Sequence, residues 1–310
     1  VPTVNLLTPA ASDRINGTIT ISATTGTDAV RVDFEYSTQS VVPRSLWYPI
    51  GSDFQSAGGW NISWNTRDLP DGSYGVRAKA VDVVGLTHFD ENGANFDIDN
   101  TPPTVNITSP AAGAKVSGTV SVQFTLDGAS KQGEVQFDGG NWIATSGSGS
   151  HSWNTASVND SSHTVRVRGN DSIANVGHSD IRTLIVDNTN PIVTITNPQN
   201  NSLLTGTFRV VAVAPSDTRN VTFNLTGGCN TVYDDTVSSD GGTWDLASAS
   251  TCGTSEYAVT IFAIAFDAVG NRQLYSTSGI VIDNDDPDVL VINPNMSANT
   301  THRGGITVSA

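Results

Sequence analysis

The 310-residue chain has one methionine (Met296), three lysines (Lys79, Lys115, Lys131), four glutamates and two cysteines. Charged residues are 15% of it and aromatics 7%. So little Glu and Lys beside 29 Gly and 13 Pro excludes a coiled coil or helix bundle, which draws on Ala, Glu, Lys and Leu. No apolar run approaches the roughly 18 residues a membrane helix needs, so this segment is expected not to insert into a membrane. Catalytic signatures are missing as well. The histidines at 88, 151, 163, 178 and 302 form no His-Glu-x-x-His pair, and neither a Gly-x-Ser-x-Gly elbow nor a phosphate loop occurs. The chain therefore reads as non-enzymatic. It starts at Val1 without Met or signal peptide, as an excised piece of a longer protein would.

What is present is acid. The net charge of −15 comes from 26 Asp and four Glu against 12 Arg and three Lys. Such a chain repels phosphate backbones and anionic lipid, which removes nucleic acid as a partner. Asp in place of Glu suits turns, and equally suits cation ligation.

Internal repetition settles the architecture. Pro2-Thr3-Val4-Asn5-Leu6, Pro103-Thr104-Val105-Asn106-Ile107, Pro191-Ile192-Val193-Thr194-Ile195 and Pro287-Asp288-Val289-Leu290-Val291 align, and each leads to a second proline at Pro9, Pro110, Pro198 or Pro294. An alternating stretch follows in each copy, opening at Gly17, Gly118, Gly206 and Gly304. Period-two alternation marks half-buried antiparallel strands. A later block recurs as Val76–Asp82, Val165–Asp171 and Ile261–Asp267, preceded by Trp64, Trp153 and Trp244. Units of about 90–100 residues with short strands and frequent turns describe β-sandwiches of immunoglobulin type. The fold class is all-β, a tandem elongated array with domains at 1–99, 100–187 and 188–283. Residues 284–310 would supply the first two strands of a fourth, which cannot fold alone. They end either at an arbitrary cut or in a strand donated to a neighbour. The three aligned Trps are expected to plug the cores, Trp47 and Trp142 to be scaffold, and Trp60, which has no counterpart, to be open to solvent.

The linker Ile98-Asp99-Asn100-Thr101-Pro102-Pro103-Thr104-Val105 and the late block Ala265-Phe266-Asp267-Ala268-Val269-Gly270-Asn271 resemble the tandem Ig-like repeats of bacterial and archaeal surface proteins. Copy one departs from that pattern with Gly85-Leu86, and copy two has Ala174-Asn175. The resemblance implies a place in a surface-layer protein, adhesin, filament or enzyme stalk, outside the cell, with neighbouring repeats or subunits as partners. It also implies calcium held between domains by linker and late-loop Asp residues. Sandwich topology would bring Asp99 to Asp171 and Asp187 to Asp267, with Asp71 and Asp160 beside the linkers; Asp283, Asp285 and Asp286 form a third cluster. Six to eight oxygens of this kind make a calcium site, whereas the plainer account makes them solvated turn formers.

Cys229 and Cys252 fall in the same unit and suit a disulfide, which would stabilise it by about 2–4 kcal/mol. Asn-x-Ser/Thr acceptors occur at Asn16, Asn61, Asn106, Asn159, Asn200, Asn220, Asn224, Asn295 and Asn299, and at Asn170 beside Asp171. They mark a glycoprotein if the host modifies them. Two functions follow. One is a rigid surface spacer on the order of 100 Å long with cation-stiffened joints. The other is a ligand- or carbohydrate-binding accessory array of a secreted enzyme, contacting its ligand through Trp47 or Trp60.

Overall fold

The computed structural model describes residues 1–54, 58–127, 133–145, 149–235, 242–247 and 251–285. The expected fourth copy lies outside them apart from Asn284 and Asp285. The chain divides into two compact units, Val1–Asn188 and Thr189–Ala310. The first contains two sandwiches and the second contains one.

In the first sandwich the strands are β1 (Val4–Thr8), β2 (Arg14–Ile15), β3 (Thr18–Thr25), β4 (Ala29–Ser37), β5 (Tyr48–Asp53), β6 (Trp60–Asn65), β7 (Gly72–Asp82), β8 (Thr87–Glu91) and β9 (Phe96–Ile98). One sheet runs β1-β3-β6; the other runs β2-β9-β7-β4-β5, with β8 also on β7. The second sandwich repeats this with β10 (Val105–Ser109), β11 (Lys115–Val116), β12 (Thr119–Leu126), β13 (Gly133–Phe137), β14 (Ile143–Ala144), β15 (Ser150–Asn154), β16 (Ser162–Asn170), β17 (Val176–His178) and β18 (Arg182–Val186). Its sheets are β10-β12-β15 and β11-β18-β16-β13-β14, with β17 on β16. The third has β19 (Thr194–Asn197), β20 (Leu203–Leu204), β21 (Thr207–Val213), β22 (Thr218–Gly227), β23 (Thr231–Asp235), β24 (Gly242–Ala247), β25 (Tyr257–Asp267) and β26 (Arg272–Ile282). They form β19-β21-β24 and β20-β26-β25-β22-β23.

In the three described sandwiches the second proline, Pro9, Pro110 or Pro198, stands where the chain changes sheet. Before it β1, β10 and β19 pair antiparallel in the small sheet. After it β2, β11 and β20 pair parallel with the last strand of the large sheet. Proline has no N–H for a ladder, so it suits this break between two pairings.

Alternation sets which side chains meet between the sheets. Strand β12 alternates exposed and buried positions from Thr119 to Thr125, placing Val120, Val122 and Phe124 inside. Trp64, Trp153 and Trp244 each enter the core opposite Ile19, Val120 and Val210 respectively, and each is 7% exposed. Phe96 lies edge-on to Trp64 with centroids 6.2 Å apart, and Phe137 stacks on Trp153 at 4.7 Å. Three hydrophobic clusters result, one inside each sandwich.

Trp60 is the correction. It is 5% exposed, and its indole N–H donates to Thr25 Oγ1 at 2.7 Å. On β6, Trp60, Ile62 and Trp64 stand two residues apart, so the strand that buries Trp64 buries Trp60 too.

Candidate functional site

The residues singled out at the domain ends build three devices, two of which recur. The first is a loop cap. Asp82 and Asp267 end the long strands β7 and β25, Asp171 directly follows β16, and each folds the following hairpin loop around its own carboxylate. Asp82 Oδ1 accepts from the Val84 and Leu86 N–H groups, and Asp171 Oδ1 from Ile173 and Asn175. Asp267 Oδ1 accepts from Val269, Gly270 and Asn271. Asp82 and Asp267 are buried, at 8% and 3% exposure. In the second and third sandwiches the amide of the closing asparagine also reaches back to the cap: Asn175 and Asn271 donate from Nδ2 to Asp171 Oδ2 and Asp267 Oδ2, both at 2.8 Å. Leu86 stands at that position in the first sandwich and has no amide to give. These are Asx turns in which the short carboxylate satisfies successive backbone donors.

The second device is a clasp at the end of the last strand. Asn100 Oδ1 accepts from Gly17 N at 2.8 Å, its Nδ2 donates to the Thr66 carbonyl at 3.0 Å, and its own N–H donates to Asp71 Oδ1 at 2.7 Å. Asn188 does the same with Gly118 N at 3.1 Å, the Thr155 carbonyl at 2.9 Å and Asp160 Oδ1 at 2.8 Å. Thr66 and Thr155 close the ring by donating to the carbonyls of Gly17 and Gly118. Gly17 and Gly118 have φ of +65° and +63°, which a residue with a Cβ enters only at a cost. The Thr101 hydroxyl, followed by the Asn100 N–H, holds the Asp71 carboxyl below the usual carboxylate range.

The third device joins the first two sandwiches. Asn175, in the loop capped by Asp171, donates from Nδ2 to the Asp99 carbonyl at 2.8 Å. Its Oδ1 accepts from Asn16 Nδ2, also at 2.8 Å. Arg14 lies beside it, bridging Asp99 Oδ2 at 2.8 Å and reaching Ser172 Oγ at 3.5 Å. Gly177 meets the Pro103 carbonyl so closely that any Cβ there would displace the linker. The linker and the late loop thus come together, but through an asparagine amide.

Asp99 contributes to this joint its backbone oxygen, while its carboxylate is held by Arg14 and by the Thr101 N–H. Asp171 spends its oxygens on its own loop. Among the described residues no group of three or more His, Cys, Asp or Glu side chains is placed to hold a metal, and as placed the acids of this joint do not fit a calcium ion. Asp187 lies in the first unit, 3.5 Å from Lys115 Nζ, and Asp267 lies in the second. Asp283 Oδ1 accepts from Asp285 N at 3.1 Å; Asp286 lies outside the described residues.

Cys229 and Cys252 are joined by a disulfide. Among the sequons, Asn61, Asn106, Asn159, Asn170 and Asn200 are exposed, while Asn16, Asn220 and Asn224 are half-buried. Asn295 and Asn299 lie outside the described residues. Neither sheet-face Trp offers a free ring platform. The Arg77 guanidinium sits 4.4 Å from the Trp47 ring centroid and Arg168 sits 4.5 Å from that of Trp142. Each arginine is paired in turn, with Glu35 or Glu134 at 2.5 Å.

Sequence reasoning missed Asn175 and Asn16 as joint residues and Asn100 and Asn188 as clasps. The recurrence of Asn after the last strand, at 100, 188 and 284, was the available signal for the clasp.

The family model of the bacterial Ig domain matches residues 2–78 and 103–167. No curated protein sequence matches the chain. Among solved structures, a Ca2+-stabilized adhesin of an Antarctic bacterium is 21% identical, over 91% of this chain and 74% of that one, with a TM-score of 0.39. A 1.5-MDa bacterial ice-binding adhesin is 18% identical over 91% and 98%, at 0.33. The fibronectin(III)-like modules of Clostridium thermocellum CbhA are 18% identical over 59% and 93%, at 0.33. The chain is a tandem repeat of Ig-like sandwiches, and the family match falls within the first two of them.

Proposed function

We propose that the chain is a structural segment of a protein displayed outside the cell, in which Ig-like sandwiches are strung together as a spacer. The observation that carries this is the first joint. The polar residues at the facing ends of two sandwiches are used to fasten one to the other, with Asn175 at the centre, and a module that only presented a ligand site would have no need of that. The bacterial Ig match, the disulfide and the excess of Asp over Lys support an extracytoplasmic setting. No helix of the described residues is long and apolar enough to cross a membrane. Neighbouring repeats and subunits of the same assembly are its partners, and catalysis is not part of it.

The accessory binding array is disfavoured by the two tryptophans assigned to it, since Trp60 is in the core and Trp47 is stacked under Arg77. For the joint itself the reading is a protein-only lock. A calcium-stiffened joint would first require Arg14 to leave Asp99 and Asn175 to leave Asp171.

Antibodies raised against residues 1–188 should label intact cells of the source organism; labelling only after lysis would sink the extracellular reading. The lock is tested on the purified chain. Its melting temperature should be the same in calcium and in EDTA, while Asn175→Leu should broaden the distance distribution between spin labels placed on the first and second sandwiches. A calcium-dependent rise in melting temperature would transfer the joint to a cation.

A further inference from the structure

The large sheet of each sandwich turns one face to the core and the other outward, and on the outward face the third sandwich differs in kind from the other two. In the first, the central strand β7 presents Arg77 and Lys79, matched by Glu35 and Asp33 on β4 at 2.5 and 3.9 Å. In the second, β16 presents Arg166 and Arg168, the latter 2.5 Å from Glu134. The corresponding positions of β25 are Phe262 and Ile264, followed by Phe266. Their neighbours Ile261, Ala263 and Ala265 are wholly buried, while these three are only half-buried, so they line the outer face.

The strands on either side continue that face without charge at its centre. Phe262, Ile264 and Phe266 stand opposite Asn224, Thr222 and Asn220 of β22, and opposite Ser276, Leu274 and Arg272 of β26. On the edge strand, Val232 is opposite Asn224 and Asp234 opposite Thr222. Leu274 and Val232 are 56% and 63% exposed. At one end an open groove of about 880 Å³ runs past Arg219, Asp234 and Phe266. A contiguous apolar stripe of this kind, rimmed by polar residues, marks an interaction site.

We propose that this face docks the same face of a second copy of the chain, so that two spacers pair laterally through their third sandwiches. Three observations select that occupant. A protein of net charge −15 repels its own copies over most of its surface, but not here, where the centre is uncharged. The rims are complementary in charge: Asp234 lies on the β23 edge and Arg272 on the β26 edge, and a two-fold axis parallel to the strands lays β23 of one copy over β26 of the other, with Arg272 two residues, about 7 Å, along the strand from the row of Asp234 and within reach of its long side chain. The size is adequate. Three strands about 34 Å long and the five-residue β23, about 17 Å long, at a spacing of about 4.8 Å cover on the order of 570 Å² per copy, or ~1,150 Å² in total, just above the ~1,000 Å² a specific interface needs. Lateral pairing goes beyond the spacer reading and is tested separately from it.

Sedimentation of the whole chain over a range of concentrations should show a reversible monomer–dimer equilibrium with a dissociation constant in the micromolar range or weaker. Ile264→Glu at the centre of the stripe should weaken it at least tenfold, with circular dichroism confirming an unchanged fold. Leu274→Glu, at an exposed position where folding is not at risk, should act in the same direction. Asp234→Arg should weaken the dimer, and adding Arg272→Asp should restore it. A chain that stays monomeric at its solubility limit overturns the proposal. So does a dimer indifferent to both Ile264→Glu and Leu274→Glu, or natural material that is monomeric with a glycan on Asn220 or Asn224, because the face would then be covered by sugar.

Discussion

At the scale of single residues, His163 shows how one position serves different chemistry in successive repeats. In the first sandwich the Tyr74 hydroxyl donates to the carbonyl of Pro70, four residues back, at 2.7 Å, fastening the start of the long strand to the loop before it. His163 occupies that place in the second, with Nε2 2.9 Å from the carbonyl of Asn159, again four residues back. Its Nδ1 lies 2.7 Å from Asp138 Oδ2. A carbonyl and a carboxylate both accept, so the ring is best satisfied with two protons. The Asp138 hydrogen bond, then the Asn159 carbonyl, raise its pKa. A raised folded-state pKa gives stability that is complete below the unfolded value of about 6.5 and is lost as pH rises through the folded value. His151 and His178 act with the opposite sign, because burial lowers both, helped at His178 by Arg166 and Arg168. The clean measurement is therefore a difference: the stability of the natural chain minus that of His163→Gln should shrink as pH rises above about 6.5. A constant difference would mean that the imidazolium is not what the loop relies on. Ala174 makes a second test. It sits at φ +71°, where the other two repeats have Gly85 and Gly270 at +87° and +94°. Ala174→Gly should stabilise the second sandwich by about 0.5–1 kcal/mol in urea unfolding, by relief of the left-handed penalty.

At the scale of strands and loops, the sequence was easiest to interpret where one physical rule acts alone. Alternation located β3, β12 and β21 and their inward residues, and the paired prolines marked where the chain changes sheet. The same rule covered Trp60, two residues from Ile62 and four from Trp64, but comparison between repeats hid it because the other copies have no second Trp there. The loops were harder because one pattern has two meanings. An Asp followed by a tight turn and Asn is what a calcium ligand and an Asx cap both require, and only the direction of the carboxylate decides between them. Asp171 points into its own loop. The linker is ambiguous for a related reason: the charged Asp99 is the conspicuous residue, while the neutral Asn100 beside it makes the connections to Gly17, Thr66 and Asp71. Asn100→Ala removes the partners of Gly17 N and the Thr66 carbonyl together. It should lower the stability of the first sandwich by about 1–3 kcal/mol, the cost of leaving part-buried polar groups unpaired. Asn100→Asp, which keeps the acceptor, should cost less; equal losses would mean that the contact with Thr66 dominates.

For the whole molecule, repetition pointed to the kind of domain, Ig-like sandwiches in tandem, but what distinguishes the copies lies in where they break the pattern. The third copy alone has the cysteine pair, and the bridge spans a sequence separation of 23 residues. Replacing both Cys229 and Cys252 by Ser should cost that sandwich about 2–4 kcal/mol and leave the unfolding of residues 1–188 unchanged; a shift in both transitions would show that the two units unfold together. The joint between the first two sandwiches was beyond the reach of sequence, since Asn16 and Asn175 meet only once two separately folded domains abut. That meeting has a consequence in time. Asn16 Nδ2 is the atom to which a sugar would be attached in the sequon Asn16-Gly17-Thr18, and it is also the atom that donates to Asn175. In a host that modifies this sequon, a glycosylating enzyme and the second sandwich would compete for one nitrogen, and the first sandwich leaves the ribosome before the second. Occupancy at Asn16 would then be a clock, set by how long the first sandwich waited before the second one closed over it.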